Sequence, residues 1–340
     1  MKNSISILCF TALLLLLSNA CQKEVFGLQY DDTPVGNFEA LWNEFDQMYG
    51  LFKVRNVDWN AVYDEYRPLV TNDLSDRALY DLFVDMLSIL DDGHVALITT
   101  DSDLPMYTGG PPNEFDFDLD ILKENYLPDA QENGISMTYG FLEDGIGYIY
   151  VLHLGEAGNL LKKEMAALMD FFKDAKGLVI DLRNGFGGED IAGKVMASYL
   201  TDERRLYMTT SIKNGPDEDD FTSPESWYLE PMGDVPFTKP IAVLTNRVTI
   251  SARESFLLAL KVLPQVTTVG DTTKGAFANA INRDLPNGWG YAMSIGDWRA
   301  ADGTSYEGLG IPPDILVENK TEEVLAGKDE ALEAAIGWLR

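Results

Sequence analysis

From Gly145 onward the chain alternates short apolar runs with amphipathic segments, and this alternation limits its fold more than any other feature. Residues 148–152 have the pattern of a strand, 160–172 of a helix and 178–181 of a fully buried strand. Residues 191–200 then read as a helix, 241–244 as a strand, 252–262 as a helix and 266–269 as a strand. Strands separated by helices of this length pair in parallel through right-handed crossovers. The expected class is α/β. Residues 201–239 are acidic and rich in proline and glycine, which suggests a surface excursion, and a last helix is expected over 322–339.

The first part of the chain follows another rule. Apolar residues recur at helical spacing in three stripes: Phe38, Leu41, Trp42, Phe45, Met48 and Tyr49; Trp59, Val62, Tyr63 and Tyr66; then Leu79, Leu82, Phe83, Met86, Leu87 and Leu90. Asn37, Asp58 and Ser75 precede them as N-caps. A small helical bundle over 37–92 is expected, with these apolar side chains as its core. It runs directly into Asp91-Asp92-Gly93-His94.

Ahead of the bundle, Lys2 is followed by an uncharged apolar run over 5–17. A bilayer-spanning helix needs roughly 20 apolar residues, so residues 1–20 read as a secretory signal. Cys21 after Ala20 looks like the lipidated cysteine of a bacterial lipoprotein, although Ser18 stands where that signal usually has leucine. Residues 21–36 would be the tether, and the expected location is the cell envelope. Cys9 and Cys21 are the only cysteines, so the chain after the leader has no disulfide framework and depends on its core. Loss of Lys2, the one charged residue in 1–20, would take the net charge from −29 to −30. Such a surface repels phosphate backbones and excludes nucleic acid as a partner.

Four stretches could carry chemistry. Ser251-Ala252-Arg253-Glu254 sits between an apolar strand and an apolar helix. It reads first as a capping box; the alternative is a nucleophile beside the free N–H groups of a helix N-terminus. Asp181-Leu182-Arg183-Asn184-Gly185-Phe186-Gly187-Gly188 ends a buried strand and enters a glycine-rich loop. It lacks the pattern of a dinucleotide or phosphate loop, leaving a tight turn or an oxyanion-binding loop. His94 and His153 are the only histidines. His153, at the end of an apolar strand, reads as a structural residue, whereas His94 lies in a turn where side chains are free to act. Glu307, before Gly308-Leu309-Gly310-Ile311-Pro312-Pro313-Asp314, is a candidate acid. Glu114, Asp116, Asp118 and Asp120 alternate with Phe115, Phe117 and Leu119, as on a strand with one solvated acidic face; the glycine and distal glutamate of a calcium loop are missing.

Asp-Gly-His after a bundle, Asp-Leu-Arg with clustered glycines, Ser-Ala-x-Glu heading a helix, Gly270 to Gly275 and Glu307 to Asp314 occur in this order. Together they resemble the tail-specific, C-terminal-processing serine peptidases, above all their tricorn-like branch and the related repeats of interphotoreceptor retinoid-binding protein. The resemblance covers the chain from about Phe38 to its end. It implies a Clp-protease/crotonase-like β/α core over 93–340 behind the bundle. It also implies a serine peptidase acting on peptides or unfolded protein, with no metal or cofactor. Tail-specific members use a Ser/Lys dyad, but the position of that lysine is Ala276 here; Lys274, two residues earlier, would share its face on a strand. Tricorn-like members use histidine and glutamate, which His94 and Glu307 match. The implied site is Ser251 as nucleophile, His94 as base and Glu307 as orienting acid, with the amides of Gly187, Gly188 and Ala252 as oxyanion hole and Lys274 as alternative base. The alternative function is a peptide- or ligand-binding protein on the same scaffold. About 50 residues separate His94 from the strand at Tyr148, too few for both linkers and the peptide-binding domain of many tail-specific proteases, which takes ~90 residues.

Overall fold

A computed structural model describes residues 30–110, 115–134, 136–155 and 158–340; the leader, Cys21 and Glu114 lie outside them. The strands are β1 (Ala96–Ile98), β2 (Tyr107–Thr108), β3 (Gln131–Glu132), β4 (Met137–Phe141), β5 (Gly147–Val151), β6 (His153–Leu154), β7 (Leu178–Asp181) and β8 (Phe186–Gly188). They continue with β9 (Arg205–Ile212), β10 (Glu225–Leu229), β11 (Ile241–Thr245), β12 (Val266–Gly270), β13 (Ala280–Asp284), β14 (Gly290–Ser294), β15 (Gly296–Ala300) and β16 (Ile315–Leu316).

The central sheet has the order β16-β12-β11-β7-β5-β4-β3. β16 through β5 run parallel, and β4 and β3 add an antiparallel edge. Both faces are covered, and the side-chain alternation of a strand sorts each residue to one of them. Ile149, Val151, Leu178, Ile180, Ile241 and Val243 join the core under helices Asn159–Phe171, Asp190–Ser198 and Ala252–Lys261. Tyr148, Tyr150, Val179, Ala242 and Leu244 meet helices Leu119–Tyr126 and Glu330–Leu339 on the other side. Asp181 is level with Tyr150 and Leu244. The loops after β7 and β11 therefore emerge side by side at the C-terminal edge, where open parallel sheets place their ligand sites.

The N-terminal helices Pro34–Met48, Trp59–Tyr66 and Asp76–Ser88 bury Phe38, Leu41, Phe45, Trp59, Phe83 and Leu87 against the β13–β14 hairpin, which supplies Trp289, Tyr291 and Met293. Asp58 and Ser75 cap the second and third, as expected. The first starts earlier than expected: Thr33 caps it ahead of Pro34, and Asn37 lies buried inside the helix. A proline at the first helical position is pre-organised for that start.

Several expectations change. Residues 201–239 contain β9 and β10, which with β15 form a three-stranded sheet; tertiary pairing overrides the turn-rich composition. The last helix is broken into Thr321–Leu325 and Glu330–Leu339, with Gly327 at φ +86° between them. The acidic ladder is not a strand: Asp118 caps the helix Leu119–Tyr126, and the Asp116 carboxylate accepts both bonds from Asn246 Nδ2, at 2.8 and 3.0 Å. Residues 271–277 are irregular, with Gly275 at φ +78°. The same-face argument that linked Lys274 to position 276 therefore fails.

Candidate active site

Ser251 heads the helix Ala252–Lys261, all of whose residues from Ala252 to Leu260 are buried. Its φ is +64° and ψ −135°, a conformation that costs a non-glycine residue roughly 1–3 kcal/mol and persists only where its surroundings impose it. Those surroundings are visible. Ser251 N–H donates to the carbonyl of Ala276 at 3.0 Å and to Glu254 Oε2 at 3.3 Å. Glu254, fully buried, also accepts from Thr273 Oγ1 (2.5 Å), Gly275 N (2.8 Å) and Ala276 N (2.8 Å). Every partner donates to it, so its two oxygens lock the serine turn onto residues 273–276. Burial pushes its carboxyl up to about 7, against the pull of these hydrogen bonds. The capping-box reading of Glu254 is thus incomplete: its carboxylate is the hub that holds Ser251.

The glycine-rich loop passes beside the serine. A methyl group on Gly187 would lie 3.0 Å from Ser251 Cβ and 3.2 Å from its Oγ. Gly188 has φ +133°, and a side chain there would overlap the carbonyl of Leu154, so only glycine fits. β8 pairs with β6, which fixes the loop from behind. Ala252 opens the helix, and the first-turn N–H groups have no intrahelical partners. Gly187 thus lies against one side of Ser251, with Ala252 following it at the helix start.

His94 arrives on the other side. It follows the helix Asp76–Ser88 through Asp91, at φ +44°, and Gly93. A methyl group on Gly93 would sit 3.1 Å from both Ile250 Cδ1 and Ala276 Cβ, so this turn packs on the residues flanking Ser251. Asp92, 1% exposed, accepts the His94 main-chain N–H at 2.9 Å and the Tyr49 hydroxyl at 3.0 Å. Burial lowers the basicity of His94, Asp92 opposes that, and Arg55 adds to it. The environment of His94 therefore favours the neutral ring. No hydrogen bond joins it to Ser251 Oγ, and Nδ1 is buried without a partner among the described residues.

Glu307 is 3% exposed and reaches the same segment, accepting from Phe277 N (2.9 Å) and Ala278 N (3.2 Å). Its Oε1 is held by Arg55 Nη2 at 3.0 Å, not by His94. Burial first, and then the charge of Asp92, push Glu307 up to about 8, while the Phe277 amide and Arg55 pull it back. Residues 275–278 are therefore the common wall on which Ser251, the His94 turn and Glu307 converge. The Lys274 ammonium lies 3.9 Å from Asp91 Oδ1. His153 is exposed on β6 rather than buried in a strand.

Three contributors were not read as site residues from the sequence. Arg55, on the short helix Phe52–Arg55, bridges Glu307, the carbonyl of Asp91 (2.5 Å) and that of Gly275 (3.4 Å). Arg253 lies under the glycine loop, and Tyr49 supports Asp92. Each acts across more than 40 residues of sequence, beyond any local pattern.

Comparison with known proteins shows what the chain as a whole resembles. Residues 145–317 match the model of peptidase family S41, and residues 31–88 match that of the tricorn protease C1 domain. The chain is 27% identical over 187 residues to the carboxy-terminal processing protease CtpA of Bacillus subtilis, covering 54% of this chain and 38% of that protein. It is 28% identical over 198 residues to the carboxyl-terminal-processing protease of Synechocystis, covering 57% and 44%. It thus spans less than half the length of these curated relatives. A crystal structure from Parabacteroides merdae, described as a candidate peptidase, superposes with a TM-score of 0.82 at 33% identity, covering 91% of this chain and 97% of the other.

Proposed function

The chain belongs to peptidase family S41, and on that footing we propose that it is a serine peptidase hydrolysing peptides and unfolded proteins outside the cytoplasm. Ser251 Oγ attacks the peptide carbonyl carbon while its proton passes to the His94 ring. The oxyanion so formed takes hydrogen bonds from the amides of Gly187, Gly188 and Ala252. Collapse breaks the C–N bond, the imidazolium returns the proton to the departing amine, and water releases the acyl group by the same path in reverse. Glu307 is the orienting acid. Its Oε1 takes one bond from Arg55 and retains a lone pair for the His94 ring when substrate closes the site, as catalytic hydrogen bonds tighten in the substrate complex.

The observation that carries this reading is the strained turn of Ser251, clamped by Glu254 on one side and faced by Gly187 on the other. A serine that merely capped a helix would need neither. The unpartnered Nδ1 of His94 and the capture of Glu307 by Arg55 favour a second reading, a binding protein on an inactive site. Incubating the full chain with a casein-like unfolded protein and a mixed peptide library separates the two. Cleavage lost in Ser251→Ala and His94→Ala supports the peptidase. A folded wild type that cleaves nothing sinks it.

Cys21 carries the lipid that holds the protein at the cell envelope. Among the described residues no helix is long and apolar enough to cross a membrane. Labelled palmitate should enter the wild type and not Cys21→Ala; equal labelling would dismiss the anchor.

A further inference from the structure

Arg253, two residues after Ser251, is fully buried, yet no carboxylate pairs with it among the described residues. Asp181, a nearby acid, is taken by Arg183 at 2.6 Å. The guanidinium is solvated by carbonyls instead. Nη1 donates to Leu182 (2.5 Å) and Arg183 (3.3 Å), and Nη2 to Leu152 (2.6 Å) and Val151. These are the C-terminal ends of β5 and β7, the two strands that feed the site. Nε has no partner among the described residues.

For stability alone this is a poor choice of residue. A buried cation without a counter-ion carries a desolvation cost, and the first turn of a helix is the positive end of its dipole. Burial lowers Arg253 to about 10, so it stays charged at neutral pH. Local rules broken at such a cost mark functional positions. Two consequences follow from its place. Its stem belongs to the helix of Ser251, while Gly185 rests directly on its guanidinium, where a methyl group would overlap Nη2. Two residues further on, Gly187 faces Ser251. The same cation therefore sets the spacing between serine and loop and places positive charge behind the loop amides.

We propose that Arg253 is a positioning residue for the transition state: it holds the Gly185–Gly188 loop at its working distance from Ser251 and biases the site toward a developing oxyanion. This rests on Ser251 being the nucleophile.

The test uses a fluorophosphonate probe on the full chain, which forms an Oγ–P bond, expels fluoride and passes the hydroxyl proton to His94. The rate of labelling and the probe's apparent affinity are measured separately, with thermal melting alongside. Arg253→Met should slow labelling by about 10²-fold, the usual cost of a misplacement near 1 Å, with affinity within about twofold. Arg253→Lys, which keeps the charge and loses the fork, should recover part of the rate. If Arg253→Met does not fold, Gly185→Ala displaces the guanidinium while leaving the cation in the chain, and should show the same split. A folded Arg253→Met or Gly185→Ala that labels at the wild-type rate overturns the proposal, as does a loss confined to affinity. A wild type that is not labelled, or a Ser251→Ala variant labelled equally, overturns the nucleophile reading itself and is told apart by that control.

Discussion

Gly187→Ala isolates the approach of the loop to the serine. Gly187 is not at positive φ, so alanine is conformationally allowed there. The new methyl would meet Ser251 Cβ at 3.0 Å and Oγ at 3.2 Å. Carbon atoms prefer a separation of about 3.5–4.0 Å, so the loop or the serine must yield by roughly 0.5–1 Å. A shift of about 1 Å between reacting groups costs about 10²-fold in rate, or about 2.7 kcal/mol at 1.36 kcal/mol per tenfold. The site is only half-buried, so the stability cost should sit at or below about 1 kcal/mol, the low end for overpacking. The expected result is a kcat reduced by about two orders of magnitude with a melting temperature lowered by at most a few degrees. Peptide turnover and thermal melts on the purified variant measure both. A kcat close to that of wild type would refute the claim that the Gly187 backbone must lie against Ser251. Gly188→Ala is the contrasting variant: at φ +133°, with the Leu154 carbonyl in the way, it should lose stability together with activity.

Glu307, raised to about 8 by burial and by Asp92, binds its proton more tightly in the folded than in the unfolded chain. Its stabilising contribution is complete below the unfolded value near 4.5 and is lost as pH rises through 8. Between pH 6.5 and 8.5, above the range in which the lowered His94 contributes, unfolding free energy should fall by roughly 2 kcal/mol. Glu254, raised to about 7, adds in the same sense. Urea melts across that window check the slope, and stability rising with pH would contradict it. Arg55→Met removes a cation that favours the Glu307 carboxylate, so Glu307 should hold its proton more tightly and the loss of stability should move to higher pH in the same melts; an unmoved pH profile would show that Arg55 does not act on Glu307. Lys274→Ala should leave kcat near wild type and cost under about 1 kcal/mol, since its ammonium only faces the exposed Asp91; abolished turnover would restore lysine as the base.

The sheet was legible because β5, β7 and β11 are buried on both faces and so appear as unbroken apolar runs. The helices that cover it were legible from their caps and stripes. What local pattern could not reveal depends on long-range pairing. β9 pairs with β10 on one side and, on the other, with β15, more than 80 residues beyond the end of β9. At the site, Ser251, His94, Glu307 and the glycines stand in motifs and could be read. Their supports could not, because a carboxylate hub such as Glu254 looks the same as a cap until its partners at 273–276 are folded against it. Arg55 had no marker, because its meaning is a contact across 252 residues.

The choice between lysine and histidine as the base is a matter of space on one wall. Ala276 is fully buried, its carbonyl receives the Ser251 N–H, and its Cβ lies 3.1 Å from where a side chain on Gly93 would begin. A long side chain at 276 would have to pass through the volume that the Asp92-Gly93-His94 turn fills. A side chain at 93 would push that turn off the wall. The two small residues are therefore one feature. Alanine at 276 and glycine at 93 let the bundle deliver His94 beside the serine's backbone, while Tyr49 and Arg55 fasten the delivery from the bundle side. On the proposed mechanism the N-terminal helices are part of the chemistry, because Tyr49 and Arg55 hold from their side the turn that carries His94.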